Sequence, residues 1–136
     1  MGKFIVLLEL IIFFDCIKNQ IKNENDNSFS SCSNKLYFSI KNNILGLSYL
    51  QTNFRIISNN SNSYRLITRG RSKIIGINNK NDIYLYNTNT TIINETQILW
   101  NLIKVKGNQY LIQNKFNRKY LEEYKNNLNF TSNIDI

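Results

Sequence analysis

Residues Ile98–Glu123, ILWNLIKVKGNQYLIQNKFNRKYLEE, have a second copy 46 residues upstream. Trp100 aligns with Phe54, Leu102 with Ile56, Ile103 with Ile57 and Tyr110 with Tyr64. Lys119, Tyr120 and Leu121 align in turn with Lys73, Ile74 and Ile75. The offset runs without a gap through more than twenty residues. A fixed period of this size means supersecondary units that bury one shared core. The stretch therefore speaks first about fold.

Working outward, the apolar runs are short, rich in Ile, Leu, Tyr and Phe, and punctuated by Asn, Ser, Gly and Lys. Strands are expected near residues 36–40, 44–48, 54–57, 64–68, 74–77, 83–86, 98–103, 110–113, 120–123 and 128–130. No amphipathic stretch is long enough to predict a helix. Leu36/Phe38/Ile40, Tyr64/Leu66, Trp100/Leu102 and Tyr110/Ile112 alternate with period two, which suits antiparallel strands with one buried face. Asn59–Asn62 and Lys106–Asn108 fall at matching turns, and Gly70 and Asn117 near the next, where Gly or Asn tolerates a positive φ best.

Four short strands per period fit a propeller blade or a β-trefoil lobe. A propeller needs at least four blades, roughly 160 residues or more, which this chain of 136 cannot supply. The fold class is therefore all-β and β-trefoil-like. Counted from Leu36, the chain holds about two full four-strand lobes and a truncated third. Such a barrel is open, or is completed by a partner chain, for which a homodimer is one way, or belongs to a decayed gene product.

The apolar run Phe4–Phe14, behind Met1, Gly2 and Lys3, has the length of a signal-peptide core and is too short to span a bilayer. Residues 1–20 are read as a signal peptide, 21–35 as a flexible polar lead-in, and 36–136 as the domain. The alternative is a buried N-terminal strand or helix. Secretion, with no membrane span after signal removal, is the expectation. Cys16 is lost with the signal or pairs with Cys32; otherwise Cys32 is a free thiol or an intermolecular bridge.

The net charge of +8 and a pI near 9.6 favour acidic partners, although the bias toward Asn, Ile and Lys, with no Ala, Pro or His, also matches an AT-rich genome. Without His, most catalytic triads and zinc sites are excluded. Asp82, Glu95, Glu122, Glu123 and Asp135 form no paired arrangement of the glycosidase kind, and there is no Gly-rich phosphate loop. The chain is expected to be no enzyme, to need no cofactor or metal, and to bind no nucleic acid. Cations gather at equivalent turns: Arg65, Arg69, Arg71 and Lys73 in one repeat, Lys115, Arg118 and Lys119 in the next, with Lys104 and Lys106 on the adjoining hairpin. They are candidate contacts for a sulfated or phosphorylated polymer. Sequons stand at Asn59, Asn89, Asn94 and Asn129.

Trp100, then Tyr110-Leu-Ile-Gln-Asn, then Lys119-Tyr-Leu-Glu122 resembles the β-trefoil pattern of the ricin-B-type lectin superfamily. That resemblance implies a sugar site built from a carboxylate just after the first strand of a lobe, an aromatic platform, and an Asn-Gln pair ahead of the Trp. Carried onto this chain, it nominates Glu122 as the carboxylate, with Gly76 at the same position one lobe earlier. It nominates Tyr84 and Tyr86 as platforms, with Asn94 and Gln97 as the pair; Tyr124 is a further stacking candidate. The implied function is that of a secreted, non-catalytic protein binding glycans or an acidic polysaccharide. The alternatives are a polyanion- or protein-binding trefoil, and an extracellular coat component without sugar binding.

Overall fold

The computed structural model describes residues 17–23, 26–31, 36–59, 63–68, 70, 73–89, 94–107 and 109–132. Twelve strands follow in order: β1 (Ile17–Asn23), β2 (Asp26–Ser31), β3 (Tyr37–Lys41), β4 (Ile44–Ser48), β5 (Phe54–Ser58) and β6 (Tyr64–Thr68). After these come β7 (Lys73–Ile77), β8 (Ile83–Asn87), β9 (Trp100–Lys106), β10 (Gln109–Asn114), β11 (Tyr120–Tyr124) and β12 (Asn127–Thr131). One 3-10 helix, Glu95–Ile98, precedes β9.

Six strands close a ring. β1 pairs with β2, β2 with β5, β5 with β6, β6 with β9, β9 with β10, and β10 returns to β1 through Ile17↔Tyr110 and Lys18↔Gln109. Three further hairpins, β3–β4, β7–β8 and β11–β12, hang from β2, β6 and β10. The chain is thus three successive units of a barrel hairpin and a cap hairpin, which is the β-trefoil architecture.

The registers repeat position for position. The pairs Phe54↔Thr68, Arg55↔Ile67, Ile56↔Leu66 and Ile57↔Arg65 recur 46 residues later as Trp100↔Asn114, Asn101↔Gln113, Leu102↔Ile112 and Ile103↔Leu111. The same pairs recur 37 residues earlier as Ile17↔Ser31, Lys18↔Ser30, Asn19↔Phe29 and Gln20↔Ser28. The two periods differ because the β8–β9 connection, residues 88–99, is longer than the β4–β5 connection, residues 49–53, and the β7–β8 turn is longer than the β3–β4 turn.

The all-β, trefoil-like expectation holds, but its strand count and boundaries change. The hairpin expected to be missing from the third lobe is β1–β2, and it completes the ring from within the chain. The polar lead-in expected over residues 21–35 carries the end of β1 and all of β2; residues 24–25 and 32–35, with Cys32, lie outside the described residues. Of the signal segment assigned to residues 1–20, residues 17–20 belong to β1, and residues 1–16, including Cys16, also lie outside. The opening that would have called for a partner chain or homodimer is closed by β1–β2.

The core is layered by the threefold. Phe29, Leu66 and Ile112 occupy equivalent positions on β2, β6 and β10, and all are fully buried. Phe38, Ile75 and Leu121 form the equivalent layer on β3, β7 and β11, facing Leu47, Leu85 and Phe130 across their hairpins. Large apolar residues alternate with polar ones because only one face of each strand meets this core. The first lobe packs with rings: Phe29 lies 5.3 Å from Phe38 and 5.6 Å from Phe54. In the third lobe Trp100 stacks on Phe130 at 6.2 Å and donates its indole N–H to the Ile75 carbonyl at 2.9 Å. That bond satisfies a polar atom that burial would otherwise leave costly. The cap turns follow the same economy. Asn42–Asn43 and Lys125–Asn126 both hold positive φ at two successive residues, the conformation that two-residue hairpins need and Asn adopts readily.

Candidate functional site

The cap hairpins carry the positions named by the lectin resemblance. One step outside the Phe38/Ile75/Leu121 layer, the register sets Ser39 opposite Gly46, Gly76 opposite Tyr84 and Glu122 opposite Asn129. Ser39, Gly76 and Glu122 are therefore one position seen in three lobes, and the candidate carboxylate and the candidate platforms belong to different lobes. The structure brings Tyr84, Tyr86 and Gln97 together around Gly76 and leaves Glu122 on the next hairpin.

In the second lobe that position is filled from above. A Cβ at Gly76 would stand 2.8 Å from the Gln97 carbonyl oxygen, 2.9 Å from Ile98 Cγ2 and 3.1 Å from Tyr86 Cε2. Glycine is required there because the long connection before β9 folds back onto β7. Asn94 caps the 3-10 helix, its Oδ1 accepting from the Thr96 N–H at 3.1 Å and from the Thr96 hydroxyl at 2.6 Å. Gln97 is buried, and its Nε2 donates to Asn79 Oδ1 at 3.0 Å. Tyr86 donates its hydroxyl to the Ile77 carbonyl at 2.8 Å and meets Tyr84 edge-on at 4.7 Å. Burial, then the neighbouring Tyr84, pushes the Tyr86 hydroxyl above its ordinary pKa of 10.0. Of this set only Tyr84 presents a largely exposed ring.

The first lobe differs. Its connection before β5 is short and is pinned to β3: the Thr52 N–H donates to the Phe38 carbonyl at 3.0 Å, and Thr52 Oγ1 accepts from the Ile40 N–H at 3.1 Å. Opposite Ser39 stands Gly46, and a Cβ there would meet nothing within 4 Å. A groove of about 800 Å³ opens at this place, lined by Ser39, Lys41, Gly46 and Ser48 and by the connection Tyr49–Thr52. Its walls carry the most exposed large apolar side chains of the described chain: Ile44 at 68 %, Tyr49 at 84 % and Leu50 at 78 %. Ser48 Oγ accepts from the Leu50 N–H at 3.1 Å, and Gln51 Nε2 donates to Asn53 Oδ1 at 3.1 Å, so the loop holds its own shape. The sequence motifs did not point to this groove. One signal was available: Gln51 precedes Phe54 by the same spacing that separates Gln97 from Trp100.

The candidate polyanion contacts are distributed, and three of them have side-chain partners. Arg65 lies on β6 and reaches Glu95 at 3.7 Å. Lys73 donates from Nζ to Asn87 Oδ1 across the β7–β8 hairpin, and Lys115 Nζ donates to Ser63 Oγ at 3.2 Å. Lys73 and Lys119 do occupy equivalent positions in lobes two and three, as the repeat implies. Arg118 is exposed in a left-handed turn conformation, φ 58. Arg69 and Arg71 lie outside the described residues. Among the described residues, no three His, Cys, Asp or Glu side chains gather as a metal site, and no helix is long and apolar enough to cross a membrane.

No protein-family model matches the chain, and no curated protein does. Among solved structures, the chain is similar to a designed threefold-symmetric protein, ThreeFoil, with a TM-score of 0.59 and 12 % identity. The likeness covers 88 % of this chain and 90 % of that one. At this identity it bears on the fold alone, and it agrees with the threefold registers: the chain has a β-trefoil fold.

Proposed function

We propose that this chain is a secreted, non-catalytic carbohydrate-binding protein of the ricin-B lectin type, with its site in the first-lobe groove. The observation that carries the reading is the groove's place. It opens at the lobe position where the resemblance puts a sugar site, and it is large enough for a small ligand. Tyr49 offers a ring face for the apolar side of a pyranose, while Ser39, Ser48 and Gln51 supply hydroxyl and amide groups around it. The second-lobe position, by contrast, is occupied by Gln97 and Ile98. The absence of His from the chain supports the non-catalytic part of the reading.

A glycan array probed with the wild-type chain and with Tyr49→Ala tests this, alongside a heparin column run at rising salt. Tyr49 is so exposed that its removal leaves the fold intact, so loss of array signal reports the groove. Array binding that is unchanged in Tyr49→Ala rules the groove out. Retention on heparin that disappears at moderate salt, without array binding, would favour the basic turns and a polyanion instead.

A further inference from the structure

The charge in the groove is opposite in sign to the one the lectin resemblance carries. The position given to a carboxylate in that family is Ser39 in this lobe, and the groove lining holds no Asp or Glu. The one lining side chain charged at neutral pH is Lys41. It stands exposed at the end of β3, paired with Ile44 across the Asn42–Asn43 turn. Among the described residues no carboxylate forms a salt bridge with Lys41. A smaller cavity of about 310 Å³ shares Leu47, Ser48 and Tyr49 with the groove and extends the surface to Asn126, beside Lys125. A trough with a cation at its rim, no carboxylate in its lining and a net charge of +8 behind it draws in and orients an anion.

We infer that the groove selects an anionic glycan, a sugar that packs on Tyr49 and Leu50 while its carboxylate or sulfate is met by Lys41. This rests on the carbohydrate-binding reading of the same groove. The test is an array of paired oligosaccharides, each neutral glycan beside its uronic-acid and sulfated forms, probed with wild type, Lys41→Met and Tyr49→Ala. The expected result is that wild type prefers the acidic member of a pair by about two- to fivefold at low salt, the worth of one exposed ion pair. Lys41→Met should abolish the preference, bringing the acidic signal down to that of its neutral partner, whereas Tyr49→Ala should weaken both. The relative signals of the uronic and sulfated members identify the source of the charge. Equal wild-type binding of neutral and acidic members overturns the inference while leaving the groove reading intact, and so does a preference that survives Lys41→Met. Failure of Tyr49→Ala to change any signal, or no binding at all, overturns the groove reading and this inference with it.

Discussion

Gly76→Ala is a sharp probe of how the second lobe is filled. The new methyl would lie 2.8 Å from the Gln97 carbonyl oxygen and 2.9 Å from Ile98 Cγ2, closer than real Cβ contacts come. Neither neighbour can step aside cheaply. Ile98 is buried, and the Gln97 carbonyl accepts a hydrogen bond from Asn114 Nδ2 at 3.2 Å. Overpacking of this kind costs about 1–3 kcal/mol, and losing the buried Asn114 bond adds about 1 kcal/mol. The sum, about 2–4 kcal/mol, lowers the midpoint of thermal unfolding by roughly 8–15 °C in a domain of this size. Trp100 is the single tryptophan, lies in the same core and reports the transition by fluorescence. Gly46→Ala is the control, since its methyl meets nothing within 4 Å; its effect should stay within about 0.5 kcal/mol. If Gly76→Ala melts like wild type, residues 94–98 do not pack on β7, and the second-lobe face is open to ligand after all.

Two further outcomes follow from the barrel and from Tyr86. A chain beginning at Ile17 keeps all twelve strands and should melt as cooperatively as the full chain. One beginning at Asp26 lacks β1, leaves β2 and β10 without their ring partner, and should lose its cooperative transition or self-associate. Circular dichroism with light scattering separates the two, and a cooperative monomer from the Asp26 start would refute ring closure by β1. The raised pKa of Tyr86 means that the unfolded chain releases this proton first as pH climbs, so stability present below pH 10 falls above it. Urea titrations between pH 8 and 11 should show that decline, and Tyr86→Phe should flatten it. An unchanged alkaline slope in Tyr86→Phe would assign the loss to other groups.

The offset of 46 was legible because its paired residues are chemically alike: Phe54 with Trp100, Tyr64 with Tyr110, Ile75 with Leu121. The first copy, offset by 37, was hidden twice. Its spacing differs from the other by nine residues, and its second strand replaces Tyr64, Leu66 and Thr68 with Asn27, Phe29 and Ser31. A run of Asn and Ser ordinarily reads as loop. Here Ser28, Ser30 and Ser31 are buried, and Phe29 alone carries the apolar layer. Hydrogen bonds do the rest: the Ser31 N–H donates to the Leu36 carbonyl, and the Asn27 side-chain Nδ2 donates to the Phe54 carbonyl at 3.4 Å. Of the candidate site, the lobe position was legible and the lobe was not. Nothing in the motif around Glu122 distinguishes a face left open by a short connection from one covered by a long one. That difference lies in residues 49–53 and 94–98, whose packing no local pattern encodes.

The strand that closes the ring is also the first of the twelve to leave the ribosome. Ile17 waits for Tyr110, 93 residues later, before its outer edge is paired. Each lobe's hairpins can zip locally as they emerge, but the seam between first and last lobes cannot form until β10 has been made. At roughly 5–20 residues per second, the β1 edge stands exposed for about 5–20 s. Throughout that interval β1 can pair with a neighbouring nascent chain as readily as with its own β10. Expression yield should therefore depend on how crowded the translating chains are, independently of how stable the finished barrel is.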